Sequence, residues 1–188
     1  IEMQLAESPV KSVAVECFGN IEDSKPIALS FLIGLFHDMT DNRINFVNAG
    51  VIAEERGISF SHSLNTEPVS FANLIVAHIT TDEGTIEVAG SVFGDQHPRI
   101  VDIMGYEVDV RPEGNMLFVQ NKDVPGVIGK VGTLLGKHEI NIGAYLLSND
   151  AHQDEAFAAI RLDSQASADV LDLLMEIPEI ISLQQLHC

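Results

Sequence analysis

Apolar and polar residues alternate from Lys11 to Phe18, setting Val13, Val15 and Cys17 on one side, and this spacing predicts a strand. The period then lengthens. Ile27, Phe31, Leu32, Leu35 and Phe36 recur at helical spacing behind Pro26, a residue suited to a first helical turn. A second helical pattern covers roughly Val47 to Arg56 and stops at Gly57. From Ile58 to Val110 the period is two. Leu74–Ile79 and Thr85–Phe93 flank Asp82-Glu83-Gly84, a hairpin signal, and Ile100–Met104 and Tyr106–Val110 are strands around a turn at Gly105. Arg111-Pro112-Glu113-Gly114 reads as a short connector.

Beyond the connector the pattern runs strand, helix, strand, strand, helix, strand. Met116–Asn121 is the first strand, and Val127, Ile128, Val131, Leu134 and Leu135 give the first helix its buried stripe. Ile140–Ser148 and Ala156–Leu162 follow as strands, joined by a polar loop at 149–155. Ala166, Val170, Leu173, Leu174 and Ile177 mark the second helix, Pro178 stops it, and Ile180–Leu186 closes the set. This order builds a ferredoxin-like βαββαβ fold. The chain is therefore expected to be α+β with two domains, a mixed α/β domain at 1–114 and the ferredoxin-like domain at 115–188. In that topology the second strand lies at a sheet edge, and its apolar run Ala144–Leu147 is a template for pairing unless the preceding domain covers it.

The chemistry concentrates where the first of these strands turns into its helix. Asp123-Val124-Pro125-Gly126 suits a helix start, and the unpaired N–H groups of that first turn form an anion site. Asn121, Asp123 and Asn141, if they meet in one corner, supply partners for an ammonium group. A carboxylate beside an ammonium is a free amino acid. Each residue also has a plainer reading: Asp123 as a helix cap, Asn141 as a turn residue opening a strand, Gly126 and Gly129 as close-packing positions.

The 188 residues carry 28 acids against 10 Lys plus Arg, a formal net charge of −18 that repels phosphate backbones and anionic lipid. Nucleic acid and membrane are therefore not expected as partners, and no apolar run is long enough to span a bilayer. Cys17 and Cys188 fit no metal spacing and are expected as free thiols in a reducing cytoplasm. His37, His62, His78, His97, His138, His152 and His187 form no close pair, so no metal site is expected. No nucleotide-binding glycine fingerprint or nucleophile elbow occurs, so this stretch is expected to hold no catalytic and no cofactor-binding residue. Opening on Ile1 without an initiator Met, the chain is expected to be a fragment.

Asp123-Val-Pro-Gly-Val-Ile-Gly-Lys-Val-Gly-Thr-Leu-Leu-Gly136, followed by Ile140-Asn-Ile142, resembles the ACT domain that closes many D-3-phosphoglycerate dehydrogenases. Gly34-Leu-Phe36, Phe46-Val-Asn-Ala49, Ala53-Glu-Glu-Arg-Gly57, Val88-Ala-Gly-Ser-Val-Phe-Gly-Asp-Gln96 and Ile100-Val-Asp-Ile103 resemble the intervening, allosteric substrate-binding domain of the long form of that enzyme. The resemblance implies a cytoplasmic, NAD-dependent oxidoreductase of serine biosynthesis, with its catalytic domains and NAD outside this stretch. It further implies homo-oligomerisation through ACT domains and feedback by L-serine or another small amino acid held between paired ACT domains. The effector positions it implies are Asn121, Asp123 and Asn141, with Val124, Gly126, Val127, Ile128 and Ile142 around them. For the first domain it implies an anion site, for which Lys25, Arg56 and Arg99 are the candidates. Two other readings stay open: a regulatory part of bacterial L-serine dehydratase, and a purely structural oligomerisation module.

Overall fold

The computed structural model describes residues 8–37, 43–67, 69–94, 96–148 and 154–188. The chain divides into two compact units, Ile1–Pro98 and Arg99–Cys188. The first contains strands β1 (Ser12–Gly19), β2 (Ser59–Asn65), β3 (Asn73–Thr80) and β4 (Thr85–Phe93), with helices α1 (Ser24–Phe36) and α2 (Ala49–Glu55). Its strands run in the order β2-β1-β3-β4, with β1 parallel to β2 and antiparallel to β3. A parallel pair needs a long crossover, which α1 and α2 provide.

Alternation in β1 buries Val13, Val15 and Cys17, and these pack with Ala28, Leu32 and Phe36 of α1 and Ala49 and Ala53 of α2. The helix α1 begins two residues before Pro26 because Asp23 caps it, its carboxylate accepting from the Lys25 N–H at 2.9 Å. Gly57, at φ +71°, ends the α2 segment as its position predicted. Glycine is compulsory at Gly19: φ is +82°, and a Cβ there would stand 2.3 Å from the Ala72 carbonyl oxygen. The hairpin at Asp82–Gly84 forms, the Thr81 N–H donating to the Gly84 carbonyl at 2.8 Å.

The second unit holds the four-stranded sheet β10-β7-β9-β8, built from β7 (Asn115–Lys122), β8 (Ile142–Ser148), β9 (Glu155–Leu162) and β10 (Ile180–His187), with every neighbour antiparallel. Helices α3 (Val127–Lys137) and α4 (Ala168–Met175) complete the ferredoxin-like order. Two positions of the expected buried stripes turn outward. Val127, Val131 and Leu135 are buried at four-residue spacing, so Ile128, about 100° round the helix, is 50% exposed. In α4 the buried positions are Val170 and Leu174, and Leu173 faces out. Of the expected loop at 149–155, residues 149–153, and with them His152, lie outside the described residues.

The hairpin of β5 (His97–Ile103) and β6 (Tyr106–Val110), turning through Gly105 at φ +84°, groups with the second unit from Arg99 onward. The reason is packing. Tyr106 is almost fully buried and stacks on Phe157 of β9 at 5.2 Å, and Phe157 stacks on Phe118 of β7 at 5.6 Å. The strand β6 thus covers the sheet face that carries no helix. The expected boundary at residue 114 is the connector between β6 and β7 and lies inside this unit, whereas the two compact units divide between Pro98 and Arg99.

Candidate functional site

The strand β7 ends at Lys122, and the chain makes a tight turn in which the Val124 N–H donates to the Lys122 carbonyl at 2.9 Å. Gly126, at φ +100°, then serves as N-cap of α3 with no side-chain hydrogen bond. Only glycine adopts that backbone without strain. The capping reading of Asp123 is therefore wrong: the residue lies three positions ahead of the cap, exposed, its N–H donating to the Asp154 carbonyl at 2.9 Å. The first backbone bond of α3 runs from the Lys130 N–H to the Gly126 carbonyl. The N–H groups of Val127, Ile128 and Gly129 consequently point out of the helix end, where the dipole favours an anion.

Asn121 lies in the last turn of β7, paired with Ala156 of β9 and Ile180 of β10, and is only 3% exposed. Its Nδ2 donates to the Lys122 carbonyl at 2.7 Å, which points the amide oxygen the other way. That Oδ1 is buried and, among the described residues, has no hydrogen-bond donor. An acceptor shut away from water without a donor costs about 1–3 kcal/mol. The arrangement is one that a bound cationic donor would relieve.

Asn141 does not share this corner within one chain. Its N–H donates to the Asp163 carboxylate at 3.0 Å and its carbonyl accepts from the Asp163 N–H at 3.1 Å, which pins it to the far end of β9. Asn121 pairs with Ala156 and Ile142 with Leu162, so the two asparagines are separated by most of β9, about 20 Å at the usual strand rise. Asn121, Asp123, Val124, Gly126, Val127 and Ile128 are together; Asn141 and Ile142 are not with them. Among the described residues no strand lies beside the outer edge of β8, and Leu147 there is 43% exposed.

The basic candidates also separate. Lys25 stands at the start of α1, whereas Arg56 lies over the Phe36 ring at its end, 5.7 Å from the centroid. Eleven residues of helix, about 16 Å, lie between them. Arg99 joins Arg111 and Arg161 in lining a cleft of about 300 Å³ in the second unit. Arg99 pairs with Asp109 at 3.4 Å, and Arg111 and Arg161 share Glu113 at 3.0 and 3.1 Å. Linear reading missed Arg111 and Arg161; the one signal was Arg161 itself, a charge inside the apolar run Ala156–Leu162. Above this cleft's sheet face the Tyr106 hydroxyl meets Gln120 Nε2 at 3.4 Å, and that amide donates to Glu155 at 2.8 Å. Burial holds the Tyr106 phenol proton above its usual range.

Among the described residues no group of three or more His, Cys, Asp or Glu is placed to hold a metal ion, and no helix is long and apolar enough to cross a membrane. Cys17 is buried and Cys188 exposed, and both are free thiols.

The family model of the D-3-phosphoglycerate dehydrogenase intervening domain matches residues 1–104. The D-3-phosphoglycerate dehydrogenase of Bacillus subtilis is 32% identical over 96% of this chain and 35% of its own length. That of Mycobacterium tuberculosis is 35% identical over 87% of this chain and 32% of its own. This chain thus spans about a third of the length of these relatives. The solved ACT domain from the GTP pyrophosphokinase of Chlorobium tepidum overlaps 39% of this chain and 97% of its own, with 13% identity and a TM-score of 0.33.

Proposed function

Because the chain belongs to the D-3-phosphoglycerate dehydrogenase intervening-domain family, we propose that it is the C-terminal regulatory region of a cytoplasmic, NAD-dependent dehydrogenase of serine biosynthesis, binding L-serine between paired ACT domains. The catalytic domains and NAD belong to the rest of that enzyme, and this region holds no reacting group. The observation that carries the reading is the buried Oδ1 of Asn121, without a donor among the described residues, on the strand that leads into the open N-terminus of α3. An α-ammonium answers the first and an α-carboxylate the second.

Pairing supplies the missing asparagine. When β8 pairs antiparallel with β8 of a second copy about a twofold axis, strand ends reverse. The Asn141 of one molecule is then carried to the end of the sheet where the other keeps Asn121 and Asp123. Serine bound there ties two chains in one orientation, and an effector of this kind acts through its differential affinity for two states, typically worth about 1–3 kcal/mol. The cleft of Arg99, Arg111 and Arg161 is the second ligand position of this reading, suited to an anionic three-carbon acid or its phosphate ester.

Isothermal calorimetry on this chain tests the proposal. L-serine is expected to bind with D-serine far weaker, and Asp123→Ala to lower affinity by about 10–100-fold, the loss of one charge-assisted hydrogen bond. Absence of both heat and thermal shift at millimolar L-serine would overturn it.

A further inference from the structure

We propose that the helical face of the second unit is a docking surface for a second copy of this chain, with α3 of one molecule lying over α4 of the other. The sheet's other face is already covered by β6, and the β8 edge belongs to the pairing described above. The outer helical face is unaccounted for by either. Between α3 and α4 runs a groove of about 690 Å³, whose walls include Leu134, Leu173, Ile177 and Pro178. Leu173 is 37% exposed there.

Charge complementarity names the occupant. In a chain of net charge −18, α3 carries Lys130 and Lys137 and no acid at all. The facing helix α4 and its C-cap carry Asp169, Asp172 and Glu176 and no base. Asp169, Leu173 and Glu176 follow one another at i, i+4 and i+7, so the acids border the groove on one stripe. Stacking two such layers about a twofold axis parallel to the helices sets each α3 over the partner's α4, base against acid on both sides. An axis perpendicular to the helices in the same plane sets α3 over α3, like charge against like. The pattern selects the first arrangement.

The glycines of α3 fit the same contact. Gly129 and Gly136 each cost a helix interior about 1 kcal/mol relative to alanine. Among the described residues nothing outside the helix's own backbone would obstruct a Cβ at either, since no such heavy atom stands within 4 Å of its position. Intrachain packing gives no reason for them; close approach of a second helix does.

Sedimentation velocity over a concentration series tests the docking in a chain carrying Leu147→Asp, an exposed substitution that closes the β8 edge. That chain is expected to self-associate, more weakly as salt is raised. Lys137→Glu and Asp172→Lys, each added alone, are expected to weaken association about tenfold, two unfavourable pairs of under 1 kcal/mol each. An equimolar mixture of the two charge variants restores it, because every facing pair is then opposite in sign. A monomeric Leu147→Asp chain, single variants that associate like their parent, or a mixture no stronger than its components would each overturn the proposal. Serine calorimetry on the chain that keeps Leu147, and with it the β8 pairing, reports separately on the amino-acid site, so loss of one reading leaves the other to stand or fall by its own measurement.

Discussion

Replacing Asn121 by leucine, a side chain of the same branching, separates the cost of an unfilled binding site from the energy of the fold. The native amide makes one hydrogen bond, to the Lys122 carbonyl, whose net worth is about 1 kcal/mol. Against it stands the Oδ1, buried without a donor, at a cost of about 1–3 kcal/mol. Leucine removes both and adds apolar surface in a position that is 3% exposed. The balance favours the variant by about 1 kcal/mol, after a modest deduction for the tighter fit. In a unit of this size that raises the ligand-free melting temperature by about 4–8 °C. Ligand response should move the opposite way. If wild type at 100-fold excess over its dissociation constant gains about 2.7 kcal/mol from L-serine, the variant should gain almost none. Differential scanning calorimetry with and without L-serine reads both quantities in one experiment. A leucine variant less stable than wild type by more than about 1 kcal/mol would refute the reasoning, since it would mean that Oδ1 is satisfied in the unliganded protein.

Gly19→Ala should destabilise the first unit by more than about 1 kcal/mol in urea denaturation, because alanine meets both a left-handed backbone and the Ala72 carbonyl. The hydrogen bond from Lys130 at 2.6 Å, ahead of weaker contributions, holds the Glu179 carboxyl below its usual range. A depressed carboxyl stabilises the fold above the unfolded-state value, about pH 4, and that contribution is lost as pH falls through the folded value. Lys130→Met should therefore lower stability at neutral pH and so flatten the acid limb, leaving stability at acid pH less altered, as urea midpoints between neutral and acid pH would register.

Most of the architecture could be read along the chain because periodicity and punctuation agreed. Val13, Val15 and Cys17 alternate and are buried; Gly57 and Gly105 stand where positive φ is needed; Val127, Val131 and Leu135 keep a helical stripe. The corner was legible only in part. A backbone donor set follows from helix geometry, so the turn before α3 was readable, whereas the cap fell to Gly126 rather than Asp123 because the turn consumes the residues between them. Whether Asn121 is buried depends on β9 and β10 flanking it, which no local pattern encodes. The arginines illustrate the same limit. Arg99, Arg111 and Arg161 are brought together by β5, β6 and β9, while Lys25 and Arg56 are held at opposite ends of one helix.

The separation of Asn141 from Asn121 has a thermodynamic consequence of its own. Within one chain β9 acts as a spacer that keeps them about 20 Å apart. A ligand that needs both must therefore join two chains. Binding and association are then linked, and whatever factor the ligand adds to pairing, pairing adds to the ligand's affinity. An isolated chain offers only half the contacts, a carboxylate cradle and one buried acceptor, and should bind weakly. A serine site of the proposed kind, incomplete in the monomer, would report on assembly as well as on amino-acid concentration. Regulation by such a site requires no contact with a distant catalytic cleft; it requires only that two chains held in register cost the cleft some of its freedom to close.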